Sequence, residues 1–248
     1  MKTIYAIAMM TALLALSAPV HASKLDSRIE AAARDSYVFR TYLKEDDIKI
    51  ESKAGVVTLT GTVAENSRKT LAQETVASLP GVKSVENKLG IKGESTASSD
   101  AWLSDKLKIA LLFHRSVSVG KAEVKVKDGI VTLKGNADSQ AQKELTTEYA
   151  KDIDGVKEVN NEMVVSESAK GAARTTGEKI DDASITAQVR MALLLHRSTS
   201  VLTTTVSTKR GVVTVGGKAG NTAEKDLVTK LVGDINGVKS VKNLMTAE

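Results

Sequence analysis

The chain has 248 residues, 26% of them charged and 42% hydrophobic, an ordinary composition for a foldable protein with room for one large domain or two to three small ones. A net charge of +5 and only one Trp, four Tyr and two Phe argue against a dedicated nucleic-acid binder, which would need a denser basic surface or an aromatic stacking platform. The absence of cysteine excludes disulfides, thiol catalysis and thiolate metal sites, and two prolines exclude a polyproline-rich linker protein.

The N-terminus opens with Met1 and Lys2, runs apolar from Ile4 to Leu16 apart from Thr11, and reaches S-A-P-V-H-A at Ser17–Ala22. This pattern predicts a secretory signal peptide over residues 1–22, cleaved after Ala22. The apolar run is about 13 residues, short of the roughly 20 that a spanning helix needs. With no cysteine at the cleavage region a lipid anchor is excluded, so the expectation is a soluble, exported protein outside the cytoplasm.

Beyond the signal, one unit is written three times. Gly55-V-V-T-L-T-Gly61, Gly129-I-V-T-L-K-Gly135 and Gly211-V-V-T-V-G-Gly217 are followed by Gly81-V-K-S-V-E-Asn87, Gly155-V-K-E-V-N-Asn161 and Gly237-V-K-S-V-K-Asn243. The offsets are a constant 74 and then 82 residues. Each unit begins with an amphipathic helix, shown in the second by Leu103, Leu107, Ala110 and Leu111, with Asp100 and Asp182 placed as N-caps. Val124 and Val126, a turn at Lys127-Asp128-Gly129, then Val131 and Leu133 predict a β-hairpin. A second helix puts Leu145, Tyr149 and Ile153 on one face, matched by Leu71, Val76 and Leu79 and by Leu227, Leu231 and Ile235. Gly81, Gly155 and Gly237 are expected to stop that helix as C′ residues. A last strand closes the order α-β-β-α-β. Residues 93–99 and 168–178 are small and polar and read as linkers. Whether the units dock or stay separate is left open by the pattern.

The D-A-x-I-T-x-x-V opening at Asp182, the G-V/I-V-T-L/V-x-G hairpins and the G-V-K-x-V-x-N closings resemble the BON domain family, and the resemblance covers all of the chain after residue 22. It implies an α/β (α+β) fold of three modules at 25–92, 100–167 and 179–248, each a small three-stranded mixed sheet covered by two helices. It also implies a bacterial envelope protein without enzymatic activity or cofactor. Its partner is expected to be an anionic phospholipid membrane surface, with support of the envelope under stress, or else unfolded envelope proteins in a chaperone-like role. Exported tandem members usually carry two units, so the third is a departure.

Few residues offer chemistry. His114 and His196 recur in L-F-H-R-S and L-L-H-R-S at the end of the first helix, where Arg40 stands in the first unit. Capping of the negative helix end accounts for them better than a paired metal site, since no carboxylate or second His lies at ligand spacing. The glycines (Gly55, Gly61, Gly81, Gly129, Gly135, Gly155, Gly211, Gly217, Gly237) lack a phosphate-loop spacing and are expected to serve turns and bulges. Asn87, Asn161 and Asn243 are expected to make local side-chain-to-backbone bonds.

Two departures from the repeat carry more information. Trp102 replaces Arg28 and Ser184, which places it at the helix surface, with Lys106, Ile109 and Phe113 at helical spacing. The units carry +1, −2 and +4, and the basic third unit has Lys209 and Arg210 at its hairpin turn. Trp102, Lys106, Phe113, Lys209 and Arg210 are therefore the candidate membrane contacts, the indole as an interfacial anchor and the basic pair as an electrostatic one.

Overall fold

The structure is a computed structural model that describes residues 19–92, 99–117, 122–166, 179–199 and 204–247. The expected signal peptide falls outside these residues except for 19–22, which open the first helix, and the expected linkers fall outside them except for Ser99. The first unit comprises α1 (Pro19–Asp35), α2 (Tyr37–Thr41), β1 (Asp47–Lys53), β2 (Val56–Val63), α3 (Asn66–Ala77) and β3 (Ser84–Ile91). The second comprises α4 (Ser99–Phe113), β4 (Glu123–Lys127), β5 (Ile130–Lys134), β6 (Asn136–Ala137), α5 (Gln140–Lys151), β7 (Glu158–Asn161) and β8 (Val164–Val165). The third comprises α6 (Asp182–Leu195), β9 (Thr205–Lys209), β10 (Val212–Gly216), β11 (Lys218–Ala219), α7 (Thr222–Gly233), β12 (Ser240–Asn243) and β13 (Thr246–Ala247).

In each unit the second hairpin strand is central, antiparallel to the first and parallel to the last. Central position means burial: Val57 and Leu59, Val131 and Leu133, and Val213 and Val215 have no exposed surface. The hairpins turn on two successive residues with positive φ, Ala54-Gly55, Asp128-Gly129 and Arg210-Gly211, the signature of a type I′ turn. The turn is held from the first helix. Asp26, Asp100 and Asp182 each accept both turn N–H groups, at 2.7 to 3.0 Å. Asp100 and Asp182 are therefore hairpin clamps rather than the expected N-caps; Asp181 caps α6, accepting from Ser184 N at 2.9 Å.

Two further expectations change. Gly81, Gly155 and Gly237 do not terminate the second helix, whose C-caps are Ser78, Asp152 and Asp234. They lie three residues later, at positive φ, where the loop runs against Leu25, Leu103 and Ile185 of the first helix. In the second helix of unit 2 the buried residues are Thr146 and Ala150, one position on from the expected Leu145 and Tyr149; Leu145 is exposed, while Ile153, just past the helix, is buried as expected. The three asparagines make the expected local bonds and more: each accepts from the N–H two residues on and donates back to the second helix, at Lys69, Lys143 or Lys225 O.

The units dock, and their buried side chains form one continuous core. Units 2 and 3 join reciprocally. Arg115 N donates to Asp234 O at 2.8 Å and Asn236 N to Phe113 O at 2.9 Å; Arg197 N donates to Asp152 O at 2.9 Å and Asp154 N to Leu195 O at 3.2 Å. The arginine side chains finish the join. Arg115 donates to Gly233, Ile235 and Val238 O, and Arg197 to Ile153 and Val156 O, so each closes the exposed carbonyls after the other unit's second helix. Unit 1 docks differently, through α2 and α3: Tyr37 N donates to Asp181 Oδ2 at 2.8 Å, Val38 N to Ser184 Oγ at 3.1 Å, and Arg190 pairs with Glu74 at 3.1 Å. Helix α6 is thereby surrounded, which explains why its polar Ser184, Thr186 and Gln188 are buried along with its apolar residues.

Candidate functional site

Helix α4 carries three of the five candidate residues, and the structure separates them. Trp102 is 46% exposed, as its polar counterparts Arg28 and Ser184 suggested. Phe113 is fully buried, packed edge-on to Tyr42 of unit 1 at 5.7 Å, so it is a core residue and not a membrane contact. Lys106 is a second correction: it is only 8% exposed, with its ammonium 3.4 Å from the centre of the Trp102 ring and 3.8 Å from Asp154. Burial pushes its pKa down and the Asp154 charge partly offsets this. A face of helix that looked solvated in one unit is covered because the other two units close over it.

Trp102 and Lys106 stand on the wall of a cleft of about 220 Å³ where all three units meet. Unit 1 contributes Ser67 and Thr70 from the first turns of α3, and unit 3 contributes Met191 and Leu194 from α6. Leu194 is 53% exposed and makes the apolar lip. The sequence held a signal for it. Ala192–Leu195 is a run of four apolar residues at a helix end, too many for one core-facing stripe, so one of them must face outward. Ser67 carried no such signal, because its position depends on unit docking.

The basic pair lies elsewhere. Lys209 and Arg210 are exposed at the β9–β10 turn, where the Arg210 backbone is held by Asp182 at the start of α6. Trp102 shares its cleft with Leu194 near the other end of that helix, about 18 Å along its axis. The structure thus does not bring the indole and the basic turn together.

The histidines are not surface caps of their own helices alone. His114 and His196 are buried in the join between units 2 and 3. His114 stacks on Tyr149 at 3.9 Å and lies 3.4 Å from Asp234, while His196 Nε2 lies 3.5 Å from Asp152. Tyr149 Oη donates to Asp234 Oδ2 at 2.8 Å. Burial raises the Asp234 carboxyl, but its contacts with His114, Ser116 and Tyr149 outweigh that and hold it below the usual carboxylate range. Burial lowers His196, with Asp152 opposing. These groups hold the units together, and among the described residues no cluster of three His, Asp or Glu is placed to bind a metal ion.

The α-β-β-α-β framework, the aspartate clamp on the hairpin and the asparagine bridge recur in all three units. Residues 25–93, 99–167 and 181–248 each match the BON domain, and the chain belongs to the BON domain family. Among individual proteins it is similar to Osmotically-inducible protein Y of Escherichia coli (strain K12), 32% identical over 143 residues that span 56% of this chain and 71% of that protein. Two solved structures of CdsD, a structural protein of the type III secretion system of Chlamydia trachomatis, share 16% identity with it. They cover 90% and 89% of this chain and 97% and 91% of their own, at TM-scores of 0.23 and 0.24, too low to support an argument.

Proposed function

We propose that this chain is a non-enzymatic, exported periplasmic protein that binds anionic phospholipid surfaces and supports the cell envelope under osmotic stress. The observation that carries the reading is the exposed apolar patch of Trp102 and Leu194, set in a protein whose third unit is basic. An indole at the surface beside a leucine suits the headgroup boundary, where an amphipathic ring is favoured. The similarity to an osmotically inducible protein supports the stress context. Among the described residues no helix is long and apolar enough to cross a membrane, in keeping with attachment to a surface rather than spanning.

Vesicle co-sedimentation with increasing phosphatidylglycerol tests the reading. Lys209→Glu with Arg210→Glu should weaken binding most at low salt, because screening removes the contribution of exposed charge beyond about 10 Å at 0.1 M. Trp102→Ala should weaken it at every salt concentration, since apolar insertion is unscreened. Binding that survives all three substitutions, with no blue shift of Trp102 emission on vesicles, rejects the membrane reading and favours capture of unfolded envelope proteins.

A further inference from the structure

We propose that the cleft at the three-unit junction is a binding site for one single-chain amphiphilic anion, an acyl chain ending in a carboxylate or a phosphate. This goes beyond surface attachment: the ligand is a monomer held in the protein. The polar end of the cleft has unused donors. Ser67 is 8% exposed, and its hydroxyl is buried without a hydrogen-bond partner. Such a group is costly to bury unmatched and marks a place where a ligand atom belongs. Lys106 has three ammonium donors, yet its polar contact is a distant ion pair to Asp154 at 3.8 Å, with the Trp102 ring on one side. Ser67 also lies in the first turn of α3, where backbone N–H groups have no partner within the helix, and the N-cap residue Glu65 makes no side-chain cap bond.

Glu65 is engaged elsewhere, hydrogen-bonded to the Asp105 carboxyl. Burial and this contact with Glu65 push the Asp105 carboxyl up, against the weaker pull of Lys108 and Arg68. The donors of Ser67 and Lys106 are left to meet an anion.

Opposite these donors the wall is apolar, formed by Trp102, Met191, Leu194 and Leu195, while Asn66 and Thr70 extend the polar end along α3. At about 220 Å³ the cleft has space for roughly seven groups of water size, enough for a head group and the first few methylenes. The rest of a chain would continue over the exposed faces of Leu194 and Trp102. A free phosphate would leave that wall wet, a neutral hydroxyl could accept from Ser67 but not offset the Lys106 charge, and a cationic amphiphile would be opposed by Lys106.

Trp102 is the single Trp of the chain, so its emission reports on the cleft directly. The purified protein is titrated with dodecanoate and with lysophosphatidylglycerol, both below their critical micelle concentrations, and with dodecanol, dodecyltrimethylammonium and inorganic phosphate. Calorimetry gives the stoichiometry. One-to-one saturable binding of dodecanoate or lysophosphatidylglycerol is expected, and comparison of these two arms tells carboxylate from phosphate. Dodecanol, the cation and free phosphate should bind at least about tenfold more weakly, and Lys106→Met or Ser67→Ala should each weaken the anionic ligand about tenfold. Leu194→Glu should abolish binding, and its exposed position keeps the variant folded even if Lys106→Met is not. Equal affinity for dodecanol and dodecanoate, no saturable binding, or unchanged binding by Leu194→Glu overturns the proposal. Reversal of Lys209 and Arg210 should leave monomer binding unchanged, which separates failure of this site from failure of vesicle attachment.

Discussion

Units 2 and 3 are joined by the same contacts made twice, while unit 1 is joined by contacts made once. The difference comes down to the end of the first helix. His114-Arg115 and His196-Arg197 continue straight off α4 and α6, and each arginine reaches carbonyls of the opposite unit. Unit 1 has Arg40-Thr41 at those positions, and a threonine is too short to reach across. Its helix also breaks where the others run on. Ser36, in the place of Ala110 and Ala192, donates to Ala33 O at 2.8 Å and caps α2 through Phe39 N. The break frees the N–H groups of Tyr37 and Val38, which unit 3 then takes up through Asp181 and Ser184. The same framework is therefore joined in two ways, and the residues at the end of its first helix mark the difference.

The comparison breaks most severely at Phe113, which is buried where unit 2 meets both neighbours. Phe113→Ala should cost about 4 kcal/mol in urea unfolding, the usual range for an aromatic removed from a core. Retention of near-wild-type stability would mean that unit 1 does not seat against α4 in solution. Next in size are the arginines of the reciprocal join. Arg115→Ala and Arg197→Ala should each cost about 2 kcal/mol, since hydrogen bonds from a charged donor are lost and carbonyls are left open, reduced by the partial exposure of Arg115. Thr41→Ala at the equivalent place in unit 1 should change stability by no more than about 0.5 kcal/mol. Equal effects at all three positions would deny that the joins differ. Asp181→Ala should cost about 1 to 2 kcal/mol, because the residue caps α6 and also accepts from Tyr37 N. Its signature is early loss of amide protection in α2, measured by hydrogen exchange.

Much of this was legible in the residues, and the parts that were not share a cause. The order of elements followed from alternation at Val131 and Leu133 and from the spacing of Leu103, Leu107 and Leu111, since those patterns reflect burial within one unit. The role of Asp100 was misplaced because an N-cap and a hairpin clamp both ask for an aspartate at a helix start. The clamp needs the turn to lie 28 residues downstream in contact, which only the fold supplies. Lys106 and Phe113 were assigned to the surface because a single unit would leave them there; docking buries them. Trp102 was placed at the surface on its polar counterparts, yet only Arg28 is exposed: Ser184 is buried against unit 1, so polarity in the copies did not by itself report exposure. Ser67 gave no sign at all, since its significance lies in a cleft that three separate segments enclose.

The two kinds of join should also respond to pH in opposite directions. Between units 1 and 2, burial and the hydrogen bond to Glu65 push the Asp105 carboxyl up from 3.8 to about 8, against the weaker pull of Lys108 and Arg68. A group whose folded pKa lies above its unfolded value binds more protons in the folded state. Its stabilisation is therefore complete below pH 3.8 and is lost progressively as pH rises to about 8. Between units 2 and 3, burial lowers His196 despite Asp152, so there the unfolded state binds more protons. That join keeps its stability above the ordinary histidine value of about 6.5 and loses it as the pH falls below that. Asp105→Asn keeps a donor for Glu65 but cannot ionise, so its melting temperature relative to the parent protein should climb from pH 4 to pH 8 and then level off. His196→Gln should instead gain on the parent only on the acid side of about pH 6.5. Hydrogen exchange in α3, beside Asp105 and Glu65, and in α5, whose C-cap Asp152 faces His196, locates the two effects at pH 5 and pH 9. Loosening of both joins at the same end of the scale would show that the Asp105–Glu65 pair and His196 do not titrate as their surroundings require.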